Sequence, residues 1–244
     1  MNLAEELRIE SRPSNSSSHI AKSRNTGERL HRSGIYLDFE GEGKKRDETF
    51  APLPHLAGVY RPQKTKSSGG DYTCYFFRKS WTPVKNGCLS KSEITEFNHF
   101  LRRLVDEAKS EMRTIYYWSN HELAVIENFA SPELVIEFRK VSKNSLSIAK
   151  KFASKRRIEI GDEHSKGLNN FLSALAPNMA IVEETKVGAA ESCRRLDSYC
   201  TKVKRWRRWT DRQKDVAKML VSYNYDDCVA LYRMTKKCLR TCPK

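Results

Sequence analysis

Gly34-Ile35-Tyr36-Leu37-Asp38-Phe39-Glu40 is the stretch on which the reading of this chain turns. Apolar residues run unbroken to Leu37, and two carboxylates follow, two positions apart. A short run rich in β-formers predicts a buried strand. Side chains alternate across a strand, so Asp38 and Glu40 share one face. Two acids at the end of a buried strand are costly unless a positive group sits between them, and a divalent cation is the usual solution. The other reading is a strand end that simply enters a charged loop, because D-x-E is short and common.

Downstream, Gly41 to Glu48 is a charged loop, and His55 to Tyr60 and Asp71 to Trp81 have the composition of two more strands. Pro62 to Gly70, closing on Ser-Ser-Gly-Gly, predicts a hairpin turn. Ser90 and Glu93 have capping-box spacing and predict a helix start, with Ile94, Phe97, Leu101, Leu104, Val105 and Ala108 on its inner face. Thr114 to Trp118 predicts a strand and Asn120 a helix start. Ser131-Pro132-Glu133 is a further start, with a cap residue before proline. Helices are also predicted over Leu168 to Leu175 and over residues 183 to 201. Thr210 and Gln213 open a long final helix, extending to Lys237, whose inner face carries Val216, Met219, Tyr223, Asp227 and Leu231.

Two other segments bear acids that bear on the Asp38–Glu40 pair. In Tyr223-Asn224-Tyr225-Asp226-Asp227-Cys228, Tyr223 and Asp227 stand one helical turn apart. Asp227 is then either an inward carboxylate in need of a partner or a surface acid near the edge of the apolar face. Asp226 lies about 100° round the helix, toward solvent. In Ile115-Tyr116-Tyr117-Trp118-Ser119-Asn120-His121-Glu122, a strand runs into a helix. Glu122 sits in the first helical turn, where the dipole favours an anion, so capping alone also accounts for it.

The three pieces together resemble the DEDD-type 3′–5′ exonuclease group of the RNase H-like superfamily, in the branch of the RecB-family nucleases and ribonuclease H-like proteins. A first strand carrying D-x-E is matched by Asp38 and Glu40. A strand-to-helix junction ending in a carboxylate is matched by Tyr116 to Glu122. A final helix reading Y-N-x-x-D-C is matched by Tyr223, Asn224, Asp227 and Cys228. Glu122 stands where aspartate is usual, and Val141 to Ile148 offers Lys143 and Asn144 where relatives often place another acid. The resemblance spans roughly residues 34–238 and implies an α/β fold with an RNase H-like mixed central sheet flanked by helices, in a domain expected over residues 34–244; a stretch rich in Ser, Arg, Asn and Gly and poor in large apolar residues separately predicts a flexible basic arm over residues 1–33. The resemblance also implies a divalent-metal-dependent nuclease acting on DNA or RNA, with Asp38, Glu40, Glu122 and Asp227 holding two Mg²⁺ or Mn²⁺ ions about 4 Å apart. Tyr223 would orient the attacking water, or be a core tyrosine bonded to Asp227. The departures leave a second outcome open, a catalytically inactive nucleic-acid-binding module on the same fold.

Charge agrees with a polyanionic partner. Lysine and arginine number 45 against 30 acids, a formal net charge of +15, and each phosphate neutralised would release counterions. The densest basic run, Lys204-Arg205-Trp206-Arg207-Arg208-Trp209, interleaves cations with tryptophans. Its arginines suit phosphate, and its tryptophans either stack on unpaired bases or tuck into the core. No run of about 18 apolar residues is present, and the first ten residues lack the apolar core of a signal peptide. A cytoplasmic protein without membrane attachment is the expectation. Seven scattered cysteines form no CxxC pair, so free thiols are expected rather than a disulfide framework or a structural zinc.

Overall fold

The structure, a computed structural model, describes residues 34–43, 52–63, 70–88, 91–160, 167–176 and 188–240. The expected basic arm, Lys44, Lys45, Arg46, Ser90, Cys242 and most of the hairpin turn lie outside these residues. A six-stranded sheet is assembled from β1 (Gly34–Glu40), β2 (Leu56–Arg61), β3 (Asp71–Phe76), β4 (Ser92–Ile94), β5 (Thr114–Tyr117) and β6 (Ser142–Asn144). The spatial order is β4-β3-β2-β1-β5-β6. β1 pairs antiparallel with β2 and parallel with β5, so the sheet is mixed, with the acid-bearing strand near its middle. β2 and β3 are antiparallel, while β3–β4 and β5–β6 are parallel.

Helices cover both faces, as a β1 that is apolar on both sides requires. On one face, Ile35, Leu37 and Phe39 pack under α2 (Phe97–Ser110), α3 (Asn120–Phe129) and α4 (Pro132–Val141). On the other, Tyr36 lies in a layer with α5 (Ser145–Arg156), α6 (Leu168–Leu175) and the second half of α8 (Asp211–Arg240). The first half of α8 packs with α7 (Ala189–Lys202) and α1 (Thr82–Cys88) over Leu56, Cys74, Phe76 and Trp81. Because Tyr36, Asp38 and Glu40 alternate with Ile35, Leu37 and Phe39, both acids face α8.

Helix starts mostly follow their capping chemistry. Ser119 and Glu122 form a reciprocal capping box on α3, Ser131 caps α4 ahead of Pro132, and Thr210 and Gln213 exchange bonds at the start of α8. The Ser90–Glu93 start is overturned. Ser92–Ile94 is an edge strand on β3, and the helix begins at Phe97, after Glu96, which makes no side-chain cap. Glu93 binds Arg103 across to α2 instead. The strand expected to reach Trp81 stops at Phe76, where a 3₁₀ turn, Lys79–Trp81, seats the fully buried Trp81. The inner face of α8 is also rotated from the expected one. Met219 is 44% exposed, while Ala217, Leu220, Val221, Asn224 and Cys228 are buried. The expected periodicity scored only large apolar residues, and this helix buries small and polar ones as well.

No helix among the described residues is long and apolar enough to cross a membrane. The five described cysteines with placed side chains, Cys74, Cys193, Cys200, Cys228 and Cys238, are buried thiols that form no disulfide among the described residues.

Candidate metal centre

β1 and α8 bring the two strongest sequence signals together. Asp38, Glu40 and Asp227 each offer a carboxylate oxygen, and these oxygens all lie within 4.8 Å of one another. No ion pair reaches Asp38 or Glu40 among the described residues. Burial drives Asp38 well above the usual carboxylate range, and Glu40, Asp227 and Glu122 push it further. Glu40 is pushed up to about 8, first by burial and then by Asp227. Three crowded, poorly hydrated carboxylates can share protons or take up a cation. Hard oxygen donors at this spacing suit Mg²⁺ or Mn²⁺ chemically, so the donor set fits the implied ions.

Glu122 joins the same cleft from the first turn of α3 but stands outside the tight trio. Its Oε2 accepts from the Ser119 backbone N–H at 2.8 Å and from Ser119 Oγ at 3.0 Å. Burial raises its pKa while those Ser119 bonds pull it back. Glu122 is therefore both the capping residue and a cleft acid. Tyr223 lines the cleft beside Asp38 and Asp227. One arm of the cleft, about 400 Å³, is lined by Trp118 and by Gly167, Asn169 and Asn170 at the start of α6. The other runs past Gly41, Gly43 and Pro54 to the start of α7.

Asn224 is a contributor to which the sequence assigned no role. It is fully buried, and its Nδ2 donates to Asp38 Oδ2 at 2.6 Å. Tyr72 Oη donates to Asn224 Oδ1 at 2.8 Å. A signal existed, since Asn224 precedes Asp227 by three residues and so flanks it on the helix.

A second cluster also lay beyond sequence reasoning. Glu42, His55 and Asp197 place ligand atoms within 4.8 Å of one another, close enough to hold a metal ion. His55 is fully buried, with Nε2 2.8 Å from Asp197 Oδ2 and 3.5 Å from Glu42 Oε1. Burial lowers its pKa, against the pull of Asp197. This cluster already faces a cation. Arg78 stands 3.6 Å from Asp197 and 3.9 Å from Glu42, and Trp81 Nε1 donates to Asp197 at 2.6 Å. We therefore describe it as an ion-pair clamp between α7 and the ends of β1 and β2. The His55 backbone N–H also donates to Glu40 O, next to the carboxylate trio.

The basic run divides. Lys204, Arg205, Arg207 and Arg208 are exposed and make no ion pair among the described residues. The tryptophans hold the turn down instead. Trp209 is 3% exposed, donates from Nε1 to Val203 O and packs on Tyr199. Trp206 lies against Trp209 and over Gly87, where a Cβ would come within 2.0 Å of its ring. A base-stacking role for Trp209 is overturned by its burial, and Trp206 has its ring committed to this packing. Asn144, at the position that lacks an acid, caps α5 by accepting from the Ser147 backbone N–H.

No protein-family model, curated protein or solved structure matches the chain.

Proposed function

We propose that this protein is a divalent-metal-dependent nuclease of RNase H-like fold that hydrolyses phosphodiester bonds of DNA or RNA as a 3′–5′ exonuclease. The observation that carries the reading is the convergence of Asp38, Glu40 and Asp227, from opposite ends of the described chain, on one cleft that Glu122 also reaches. A mixed sheet with the D-x-E strand near its middle and helices on both faces is what the family resemblance calls for. Two Mg²⁺ or Mn²⁺ ions would supply the positive charge that activates water and stabilises the leaving oxygen.

The chain's own groups divide the remaining work. Asp38, Glu40, Asp227 and Glu122 supply the ligand oxygens. Tyr223, at the mouth of the cleft, orients the attacking water. Lys204, Arg205, Arg207 and Arg208 hold phosphates farther along the strand.

Two observations favour the second reading, a nucleic-acid-binding module without catalysis. Glu122 is engaged in its capping box, and Asn144 caps a helix where a further acid would stand. A single assay separates the two. End-labelled single- and double-stranded DNA and RNA are incubated with Mn²⁺ or EDTA, beside an Asp38→Ala variant. A nuclease gives metal-dependent shortening from the 3′ end that the variant lacks. Salt-dependent binding without cleavage at any Mn²⁺ concentration supports the binding module, and equal cleavage by both proteins exposes a contaminant.

A further inference from the structure

Asp38 is held by a chain of polar groups drawn from two other elements. Tyr72 on β3 donates to Asn224 Oδ1, and Asn224 on α8 donates through Nδ2 to Asp38 Oδ2. With Asp38 ionised, as a metal ligand must be, only one orientation of the amide satisfies both neighbours. A hydroxyl on Oδ1 forces the NH₂ toward the carboxylate, and an amide N–H at 2.6 Å is a partner for an ionised acceptor. The amide is thus held at both ends. Room for it is made by one residue on β2. Gly58 is the cross-strand neighbour of Asp38, and a Cβ there would fall 1.8 Å from Asn224 Oδ1. That is a clash with a side chain pinned at both ends.

We infer that Asn224, oriented by Tyr72 and seated over Gly58, is a positioning residue that aims the Asp38 carboxylate at a divalent cation. The inference rests on the proposed metal centre and adds to it the residue that makes one of its ligands rigid. Outer-shell partners of this kind fix the orientation of a ligand and hold it in its binding form, and their loss commonly weakens metal affinity about 10–100-fold. Both amide groups of Asn224 are engaged by Asp38 and Tyr72, so its effect on a cation would pass through Asp38.

The test is Mn²⁺ titration of the full chain by calorimetry, with the spectrum of bound Mn²⁺ recorded by electron paramagnetic resonance. The proteins are wild type, Asp38→Ala, Asn224→Ala, Tyr72→Phe and Gly58→Ala, each also melted in EDTA. The expected result is about 10–100-fold weaker Mn²⁺ binding in Asn224→Ala and Gly58→Ala. Tyr72→Phe should show a smaller, several-fold loss with an altered Mn²⁺ spectrum, because its amide is free to turn over. A merely structural role would lower the EDTA melting temperature and leave the Mn²⁺ dissociation constant alone, which overturns the inference. Should Asn224→Ala fail to fold, Tyr72→Phe decides, since it deletes one oxygen and keeps the ring; unchanged binding there is equally fatal. Wild-type binding that Asp38→Ala abolishes but the other variants retain sinks this inference alone. Wild-type binding that Asp38→Ala leaves intact, or no binding at all, removes the metal centre itself.

Discussion

Asp38 at the end of a central strand and Asp227 in the middle of the last helix place carboxylate oxygens within 4.8 Å of each other. Such a pair opposes folding unless protons or a cation intervene, because burial weakens the solvation that would otherwise separate their charges. Sites held together against their own repulsion are commonly functional, and relieving them commonly stabilises the fold.

Removing one charge from the trio should therefore raise stability and abolish cleavage together. Glu40→Gln is expected to gain about 1–2 kcal/mol at pH 8 in EDTA, a rise in melting temperature of about 2–4 °C per kcal/mol for a chain of this size. In the cleavage assay Glu40→Gln and Asp227→Ala should each lose more than the roughly 10–100-fold typical of an outer-shell change. A variant that melts lower in EDTA and cleaves normally would contradict the assignment.

The pH dependence has a definite sign. Folded and metal-free, Glu40 keeps its proton up to about 8, against an ordinary value of 4.5. Across that window unfolding releases a proton, so stability falls as pH rises from about 4.5 to about 8. Asp38 shifts in the same direction. A cation needs the charged carboxylates, so its stabilising effect grows over the same range. Melting curves in EDTA should drop between pH 5 and 8, and the increment from saturating Mn²⁺ should be larger at pH 8 than at pH 6. A flat EDTA profile would mean that these carboxylates are hydrated in solution.

Arg78 should decide whether the Glu42–His55–Asp197 cluster takes a metal. Its guanidinium faces both carboxylates, and a bound cation would have to displace it or tolerate its charge. Arg78→Met removes the competing charge and keeps much of the bulk. The variant is expected to bind one more equivalent of Zn²⁺ than wild type, a gain that His55→Ala in the same background should reverse. Equal stoichiometry in wild type and Arg78→Met would show that the cluster is an ion-pair clamp with or without its arginine.

The exposed cations of the 204–208 turn should act through phosphate alone. Changing Lys204, Arg205, Arg207 and Arg208 to Ala is expected to lower the salt slope for single strands by up to about 3, at about 0.7 per lost contact. From Asp211 to Asp227 the helix rises about 24 Å, the length of roughly seven nucleotides at 3.4 Å each. Oligonucleotides shorter than this should bind wild type and the fourfold variant alike. Trp209→Ala should behave differently, costing about 3–5 kcal/mol of stability by opening the core; a folded Trp209→Ala protein with specifically weakened binding would restore the stacking role.

The amino-acid sequence by itself determined what short-range physics controls. The unbroken apolar run to Leu37 set β1, side-chain alternation put Asp38 and Glu40 on one face, and the Ser131 and Thr210 caps marked two helix starts because a cap needs only its own next turn. Local rules also misled where a motif had a stronger distant partner. Glu93 joined an edge strand and Arg103, not a capping box, and β4 and β6, at three residues each, are too short to show a period. Tertiary structure alone decided which face of α8 is buried. Asn224 turns inward because Tyr72, Asp38 and the bare backbone of Gly58 satisfy it there, and a polar residue's burial depends on partners that hydropathy cannot register. The same holds for His55 and Asp197, distant in sequence and joined at 2.8 Å. Asp38 and Glu40 were legible as a strand pair, and the family resemblance joined Asp227 to them; that the three carboxylates meet within 4.8 Å and that Asn224 bonds Asp38 follows from how β1, β2, β3 and α8 pack, where long-range contacts choose among local possibilities.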